Sequence, residues 1–364
     1  MNSILFSFTQ RISRKKSWLR VGAVSLALLL GACTTQSPFF MPEGAIKPTS
    51  SLQQNSSEID ALRQISLLQD RLDRVVAPLL TSSPDLCKKQ ARNLLGLTAK
   101  NRYSYSVPLA DAAQQLFGLD ERLQVASVMP NSGAARLGIQ RGDILIAADD
   151  HPIPQGVNAE TETVALLAPI VAGKTSVKLT IQRKEKEMNL TVPLTRACGF
   201  RVDIGNTDSI NSYADGRRIL ITRGMVRYAQ TDDELAYVVA KEMAHNVLGH
   251  ARMLKMTGTV SEIIDNLVRI QPDMSTMVGT AGVKPMSQQY DIAADALSLQ
   301  MVARAGYNID QAVPFWQRLA AQHPATELDS YTALHPASDA RLAAMSKAVA
   351  RIKTAAKKRP ASAE

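Results

Sequence analysis

Several familiar signatures of protein chemistry are missing from this sequence of 364 residues. It has no glycine-rich phosphate-binding loop, no spacing typical of a serine–histidine–aspartate triad and no CxxC pair. We find no internal repeat, and no apolar run reaches the roughly 20 residues that cross a bilayer core. These absences argue against a P-loop nucleotidase, a serine hydrolase and a thioredoxin-like redox protein.

The positive charge of the chain, formally +9, is concentrated at its two ends. Five of these charges precede residue 21, so the chain without residues 1–32 carries +4. Another basic group lies in residues 351–364, and the body between the two ends is close to neutral. Because nucleic-acid-binding domains carry a basic patch or stripe, we expect no nucleic-acid partner. We interpret residues 351–364 as a solvated basic tail, with weak contact to anionic lipid or peptidoglycan as the alternative.

The first 33 residues have the order of features that marks an export signal. A basic stretch without acidic residues, between Arg11 and Arg20, precedes an apolar run from Val21 to Leu30. At about ten residues this run is too short to span a bilayer. It ends in Leu-Gly-Ala-Cys, which resembles the lipobox of bacterial lipoproteins, where signal peptidase cuts before the lipid-bearing cysteine, here Cys33.

The lipobox resemblance implies that residues 1–32 are a signal peptide and that Cys33 is acylated, with palmitate among its lipids. The chain would then be anchored to a membrane of the cell envelope and face the periplasm. The lipoprotein sorting rule reserves Asp after the cysteine for the inner membrane, and here Thr34 stands in that place, which favours the outer membrane. An ordinary signal peptide with an incidental cysteine, or an uncleaved anchor, is the alternative.

Two further cysteines, Cys87 and Cys198, complete the three in the chain. An even pair in an exported protein predicts a disulfide, because the compartment is oxidising. The pair brackets residues 88–197, so the bond would join the ends of an inserted module. Two buried free thiols are the alternative.

The composition divides the rest of the chain into segments. Residues 33–56 are rich in Ser, Thr, Pro and Gln, which predicts a flexible tether. Residues 57–110 begin with apolar side chains at three- and four-residue steps, which predicts a helical N-terminal segment. Residues 111–196 show short alternating strands separated by Gly and Asp turns. Residues 199–350 form one further segment, with a sequence pattern that differs from these alternating strands.

One long motif identifies the class of domain in residues 111–196. Residues 132–145, Ser-Gly-Ala-Ala-Arg-Leu-Gly-Ile-Gln-Arg-Gly-Asp-Ile-Leu, resemble PDZ domains of the bacterial periplasmic type. The resemblance implies a β-barrel-like domain that captures an extended peptide as an added strand. It also implies that Phe117, Gly118 and Leu119 form the loop that binds the peptide's terminal carboxylate. A module that only packs against its neighbour is the alternative.

Residues 199–350 contain a helix with a chemically informative motif. Thr231 and Glu234 form a capping box that predicts its start, and residues 241–245 within the helix read Lys-Glu-Met-Ala-His. The motif resembles the H-E-x-x-H signature of HtpX- and BepA-like zinc metallopeptidases, the family that also holds the CAAX prenyl endopeptidases. In H-E-x-x-H, two histidines on one helix face bind zinc and the glutamate between them is the general base.

Two downstream segments extend this resemblance. Residues 291–295, Asp-Ile-Ala-Ala-Asp, stand where the family has its E-x-x-x-D motif. A Leu-His-Pro segment at 334–336, followed by Arg341, matches the family's His-Pro segment and its arginine. The resemblance implies an α+β protein, with a mainly helical metallopeptidase-like domain and a small edge sheet beside the PDZ domain.

The sequence departs from the family at two of the metal-ligand positions. Lys241 replaces the first histidine and Asp291 replaces the glutamate, whereas His245 is retained and Glu242 still occupies the base position. Zinc accepts an aspartate oxygen at about 2 Å, but aspartate is one methylene shorter than glutamate. An ammonium has no lone pair and repels a metal ion. We therefore expect zinc, which the family requires, to be absent or weakly held.

One rearrangement would restore a third ligand. His335 could join His245 and Asp291 through the tertiary fold and form a nonstandard site; otherwise His335 is a cleft or core histidine. His250 follows His245 by five residues, which on a continuous helix places it about 140° away on a different face. We therefore do not expect His250 to reach the site.

Three functional hypotheses follow from these residues. The first is a degenerate peptidase that binds unfolded or extended peptides, and outer-membrane proteins among them, as an adaptor or chaperone. The second is a working zinc metalloendopeptidase in envelope protein quality control with a nonstandard ligand set. The third is a structural lipoprotein whose fold scaffolds an assembly. Lys241 favours the first and third over the second.

Overall fold

The computed structural model of this protein describes residues 51–358. The predicted signal peptide at 1–32, the predicted lipid attachment at Cys33, most of the predicted tether and residues 359–364 of the predicted basic tail lie outside the described residues. Within residues 51–358, no helix combines the length and apolar character needed to cross a membrane.

The first described element is a long helix, α1 (Ser51–Ser82), which connects the two domains. It includes residues 51–56, which we expected to belong to the tether; they contain no proline or glycine that would stop the helix. Leu72 and Leu79 are fully buried in the larger hydrophobic core. The Arg71 guanidinium donates to the carbonyls of Val226 and Ala229, so α1 is fastened to the metallopeptidase-like domain.

The PDZ domain is built on one antiparallel sheet in the order β2-β3-β4-β6-β7, with β5 paired to β4. Its own hydrophobic core is separate from the larger one. The strands and helices of this region are β1 (Ala91–Leu94), β2 (Leu97–Lys100), α2 (Val107–Phe117), β3 (Gln124–Val128), α3 (Gly133–Arg136), β4 (Ile144–Ala148), β5 (His151–Pro152), α4 (Ala159–Gly173), β6 (Ser176–Arg183) and β7 (Lys186–Pro193).

The PDZ sheet begins earlier in the chain than we expected. Residues 57–110 are not a purely helical segment, because they include β1 and β2, and β2 belongs to the PDZ sheet. The sheet therefore begins before residue 111. Both strands are four residues long, too short to show a clear alternation of apolar and polar side chains.

Contacts of individual residues explain the local structure of the PDZ motif at residues 132–145. Ser132 caps α3 by accepting a hydrogen bond from the amide of Ala135. A Cβ atom at Gly133 would lie 1.8 Å from the carbonyl oxygen of Pro193, so only glycine fits there. The buried Asp143 carboxylate accepts from the amide of Gln140 and pairs with the Arg183 guanidinium at 2.7 Å, which joins the turn to β6.

The metallopeptidase-like domain is mainly helical, with a three-stranded sheet in the order β10-β11-β9. β9 runs parallel to β11, and β10 runs antiparallel to it. The fold is therefore α+β, which confirms the prediction. The elements are β8 (Thr195–Cys198), β9 (Arg201–Gly205), β10 (Ser212–Ala214), β11 (Arg218–Thr222), α5 (Arg223–Tyr228), α6 (Asp232–Leu248), α7 (His250–Met253), α8 (Thr257–Leu267), α9 (Gln288–Arg304), α10 (Ala312–Gln322), α11 (Tyr331–Leu334) and α12 (Asp339–Lys358).

The last helix replaces most of the expected tail. α12 continues through Lys358, so residues 351–358 of the predicted basic tail are helical. Their side chains, apart from the half-buried Ile352, are exposed, in keeping with the solvated surface that we expected.

A disulfide joins Cys87 to Cys198, with a Cα–Cα distance of 5.5 Å. β1 pairs with β8 beside it, with Ala91 opposite Cys198. The disulfide and this strand pair together hold the two ends of the PDZ segment against the end of α1.

Candidate metal centre

The helix that carries residues 241–245 starts and ends as its sequence predicts. The hydroxyl of Thr231 accepts from the amide of Glu234, and α6 ends at Gly249, which has a left-handed φ of 73°. α6 packs along α9, and residues 234–246 of α6 are all buried. This packing brings the 241–245 motif next to the 291–295 motif on α9.

Lys241 forms the centre of a buried ion cluster. Its ammonium lies 2.9 Å from Asp291 Oδ1 and 3.0 Å from Asp295 Oδ1, and the side chain is 0% exposed. Neither approach has hydrogen-bond geometry, so the attraction is that of an ion pair. The ammonium also lies 5.2 Å from the centroid of the Trp316 ring, within reach of a cation–π interaction. Arg341 adds a second cation, 2.6 Å from Asp295 Oδ2.

The pKa values of the two carboxylates of this cluster are lowered, which favours their ionised form. Burial by itself raises the pKa of Asp291, but the positive charge of Lys241 and the contact with His335 outweigh it and hold the pKa well below its usual range. Burial likewise raises the pKa of Asp295, and the charges of Lys241 and Arg341 reverse that effect. Two cations therefore balance two carboxylates, and this part of the centre is neutral without a metal ion.

Two histidines reach the same carboxylate oxygen as Lys241. His335 Nδ1 lies 2.8 Å from Asp291 Oδ1, and His245 Nε2 lies 3.4 Å from it without hydrogen-bond geometry. Burial lowers the pKa of both histidines, which favours their neutral form. Ligand atoms of His245, Asp291 and His335 all lie within 4.8 Å of one another. The structure thus brings together the three residues of the nonstandard site.

Glu242, at the position of the family's general base, faces the same cluster. Its Oε1 accepts a hydrogen bond of 2.9 Å from the hydroxyl of Ser212 in β10. His335 Nε2 lies 3.9 Å from that oxygen. Burial raises the pKa of Glu242. A raised pKa disfavours the ionised form that a general base needs before it accepts a proton.

The expectation that His250 cannot reach the site is wrong. Its Nδ1 lies 2.9 Å from Nδ1 of His245, because the chain leaves α6 at Gly249 instead of continuing the helix. One of the two nitrogens must carry the proton that the other accepts, so the pair fixes the orientation of the His245 ring. The His250 ring stacks on Tyr290 at 4.4 Å, and burial lowers its pKa to about 4. The glycine at position 249 was the signal that could have revealed this contact.

The residues present do not fit zinc in the family's arrangement. The ammonium of Lys241 occupies the place of the first histidine and already neutralises Asp291. A doubly charged ion about 4 Å from an ammonium is repelled by about 8 kcal/mol at an effective dielectric constant of about 20. A metal ion on His245, Asp291 and His335 would bind the same carboxylate that this ammonium contacts.

The structure places the expected carboxylate loop away from a free strand edge. Gly118 is the left-handed cap of α2, its carbonyl accepts from the Gln124 side chain, and Phe117 stacks on Tyr105. β3, the strand that follows, is paired on both sides. A peptide therefore cannot add to β3.

The PDZ sheet ends in β2 on one side and in β7 on the other, and the edge of β2 is open. Among the strands of residues 51–358, β2 pairs with β3 alone, which leaves its other edge open to an added strand. Gly96, with a φ of 81°, precedes it directly. Sequence reasoning missed this turn, although Leu-Gly-Leu at 95–97 has a glycine between two apolar residues, as Phe-Gly-Leu at 117–119 does.

Together, the fold and the site define a metallopeptidase-like domain joined to a PDZ domain. Residues 176–349 match the model of peptidase family M48, and residues 124–183 match that of the PDZ domain. Residues 176–349 are therefore similar to peptidase family M48, as the sequence resemblance implied.

Individual relatives support the same relationship. The beta-barrel assembly-enhancing protease of Yersinia pestis is 29% identical over 161 residues, which cover 39% of this chain and 33% of that protein. The mitochondrial metalloendopeptidase OMA1 of Schizosaccharomyces pombe is 26% identical over 134 residues, 35% of this chain and 40% of that protein. The chain thus spans only a third to two fifths of the length of these relatives.

Among solved structures, an HtrA3 PDZ domain bound to a phage-derived ligand shares 19% identity with this chain. The match covers 29% of this chain and 88% of that domain, with a TM-score of 0.22.

Proposed function

We propose that this protein is a periplasm-facing lipoprotein whose M48 domain has lost zinc-dependent catalysis and which binds extended peptides or envelope proteins as an adaptor or chaperone. The observation that carries the proposal is the ammonium of Lys241, fully buried between Asp291 and Asp295. A charge-balanced ion cluster at the ligand positions supports a structural role for these residues. Glu242 would then have no metal-bound water to activate.

A working zinc metalloendopeptidase is the second candidate, and one observation favours it. His245 Nε2 and Asp291 Oδ2 are buried and have no hydrogen-bond partner within residues 51–358. Unsatisfied buried ligand atoms beside His335 are what a metal site leaves behind when the ion is removed. In this candidate function the Asp291 carboxylate would contact the metal ion through Oδ2 and Lys241 through Oδ1.

The open edge of β2 supports the binding part of the proposal. Backbone groups along an unpaired edge can hold an extended peptide through main-chain hydrogen bonds. The name of the Yersinia pestis relative points to assembly of β-barrel proteins. We therefore propose outer-membrane proteins, in unfolded or extended form, as clients of this chain.

Zinc content and proteolysis test the choice between the two candidates. The purified protein, dialysed against trace zinc, should hold far less than one zinc ion per chain and should not cleave an unfolded substrate such as casein. Elemental analysis and a casein cleavage assay check these expectations. Tightly held stoichiometric zinc that disappears in His245→Ala and His335→Ala would establish the second candidate instead.

The proposed lipid anchor has a separate test. Cells that are fed a clickable palmitate analogue should label the wild-type protein, whereas Cys33→Ala should stay unlabelled and keep residues 1–32. Fractionation should place the labelled protein with outer-membrane markers. The matched control is Cys87→Ser/Cys198→Ser, which removes the other two cysteines and should still be labelled. Labelling of Cys33→Ala would contradict the proposal.

A further inference from the structure

A large cavity lies between the PDZ domain and the metallopeptidase-like domain. Its volume is about 1260 Å³, and we call it the interdomain cavity. Its walls are formed by α1, by Thr98–Lys100 of β2, by Arg201–Ile204 of β9 and by one side of α8. None of the residues of the candidate metal centre lines it.

Two strand edges of different sheets face this cavity. β2 ends the PDZ sheet and β9 ends the other sheet, and within residues 51–358 each has a single strand partner. The edge of β9 is partly covered by α1, since the amide of Ile204 donates to the side chain of Gln69. The edge of β2 has no such cover among the bonds that the structure describes. An extended chain that adds to β2 therefore continues into the interdomain cavity.

The walls of the interdomain cavity are predominantly acidic. Eight carboxylate side chains line it against four basic side chains. Arg141 is paired with Asp70, and Arg201 with Asp203, so these cations are already balanced.

Five of the lining carboxylates form no ion pair within residues 51–358: Glu58, Asp73, Glu160, Glu262 and Asp273. Asp73 accepts from the Gln69 side chain but contacts no cation, and burial raises its pKa. A cationic side chain in the cavity would satisfy this excess of negative charge. Neighbouring apolar groups such as Leu62 and Ile263 would pack against the methylene stem of a lysine or arginine.

We propose that the interdomain cavity receives a basic stretch of an extended peptide whose neighbouring residues add to β2. The open edge supplies the backbone contacts, and the unpaired carboxylates supply the preference for lysine or arginine. This inference rests on the proposed peptide-binding function and adds the class of peptide that is bound. It makes the M48 domain a wall of the recognition site instead of its catalyst.

Three fluorescein-labelled peptides test the inference by fluorescence anisotropy with the full-length protein in detergent. All three share an extended tail of alternating Val and Thr that ends in Val, preceded by three Lys, three Ser or three Glu. The Lys peptide should bind about tenfold more tightly than the Ser peptide, because each of three exposed ion pairs strengthens binding roughly twofold. The Glu peptide should bind more weakly than both. The preference should shrink as salt is raised.

A matched pair of variants assigns the preference to the cavity. Glu58→Gln/Glu262→Gln removes two unpaired charges and should reduce the Lys-over-Ser preference about threefold or more without changing Ser binding. Glu187→Gln, an exposed charge on β7 outside the cavity, should leave all three affinities unchanged. Equal affinities for the Lys, Ser and Glu peptides would overturn this inference and leave peptide binding intact. Failure of all three peptides to bind would overturn the proposed peptide binding and this inference with it.

Discussion

Replacing Lys241 with histidine and Asp291 with glutamate should produce a protein that holds about one zinc ion per chain. The double variant rebuilds H-E-x-x-H on α6 and restores the longer carboxylate on α9, which give three protein ligands. The two helices already pack against each other, and His245 is held in place by His250 at 2.9 Å. The double variant therefore replaces a cation with a metal ligand between two helices that are already packed against each other.

The single variants separate the two departures from the family. Lys241→His alone should recover much of the zinc binding, because Asp291 can still donate an oxygen at about 2 Å. Asp291→Glu alone should recover little, since the ammonium remains beside the carboxylate. Lys353→His, which alters a lysine on α12 away from the centre, is the control and should bind no additional zinc. Elemental analysis after dialysis measures all four proteins.

The double variant can regain zinc binding without regaining proteolysis, so zinc content and proteolysis are interpreted separately. Zinc in the double variant would show that the fold still accommodates the metal and that Lys241 excludes it. If neither Lys241→His nor the double variant gains zinc over the wild type, the loss of metal binding does not lie in these two residues. In that case our explanation that Lys241 excludes zinc from the centre is wrong.

The sequence predicts which motif residues belong to the centre better than it predicts the contacts that loops create. The family resemblance implied that Lys241, His245 and Asp291 come together, because each stands at a metal-ligand position of the family's motifs. Their contact distances depend only on α6 packing along α9. Residues that are close to each other through loops were harder to predict: His335 was left open, and His250 was placed on the wrong face.

The same limitation explains the errors in the PDZ domain. Periodicity identifies long elements, whereas β2 has four residues and enters the sheet through a left-handed glycine at Gly96. Whether a strand has a free edge depends on which strands pair with it, and that is a property of the whole sheet. The sequence therefore identified the domain from residues 132–145 but not which strands end its sheet.

Removing the charge of Lys241 without changing its bulk should destabilise the protein by about 3–5 kcal/mol, because it leaves buried carboxylates without their cation. Lys241→Met is the suitable change, since methionine has a similar length and fills the same space beside Trp316. Asp291 would then keep only neutral histidines as neighbours, and Asp295 would keep Arg341. Chemical denaturation of the wild type and the variant measures the difference in the free energy of unfolding.

Two further variants show whether this loss comes from the buried charge. Lys241→Met/Asp291→Asn removes the stranded carboxylate along with the cation and should regain a large part of the lost stability, while the amide oxygen can still accept from His335. Lys353→Met breaks the exposed ion pair with Asp310 and should cost no more than about 1 kcal/mol. If Lys241→Met is no more costly than this surface control, the ammonium does not hold α6 and α9 together. The ion cluster would then not stabilise the contact between α6 and α9 in place of a metal.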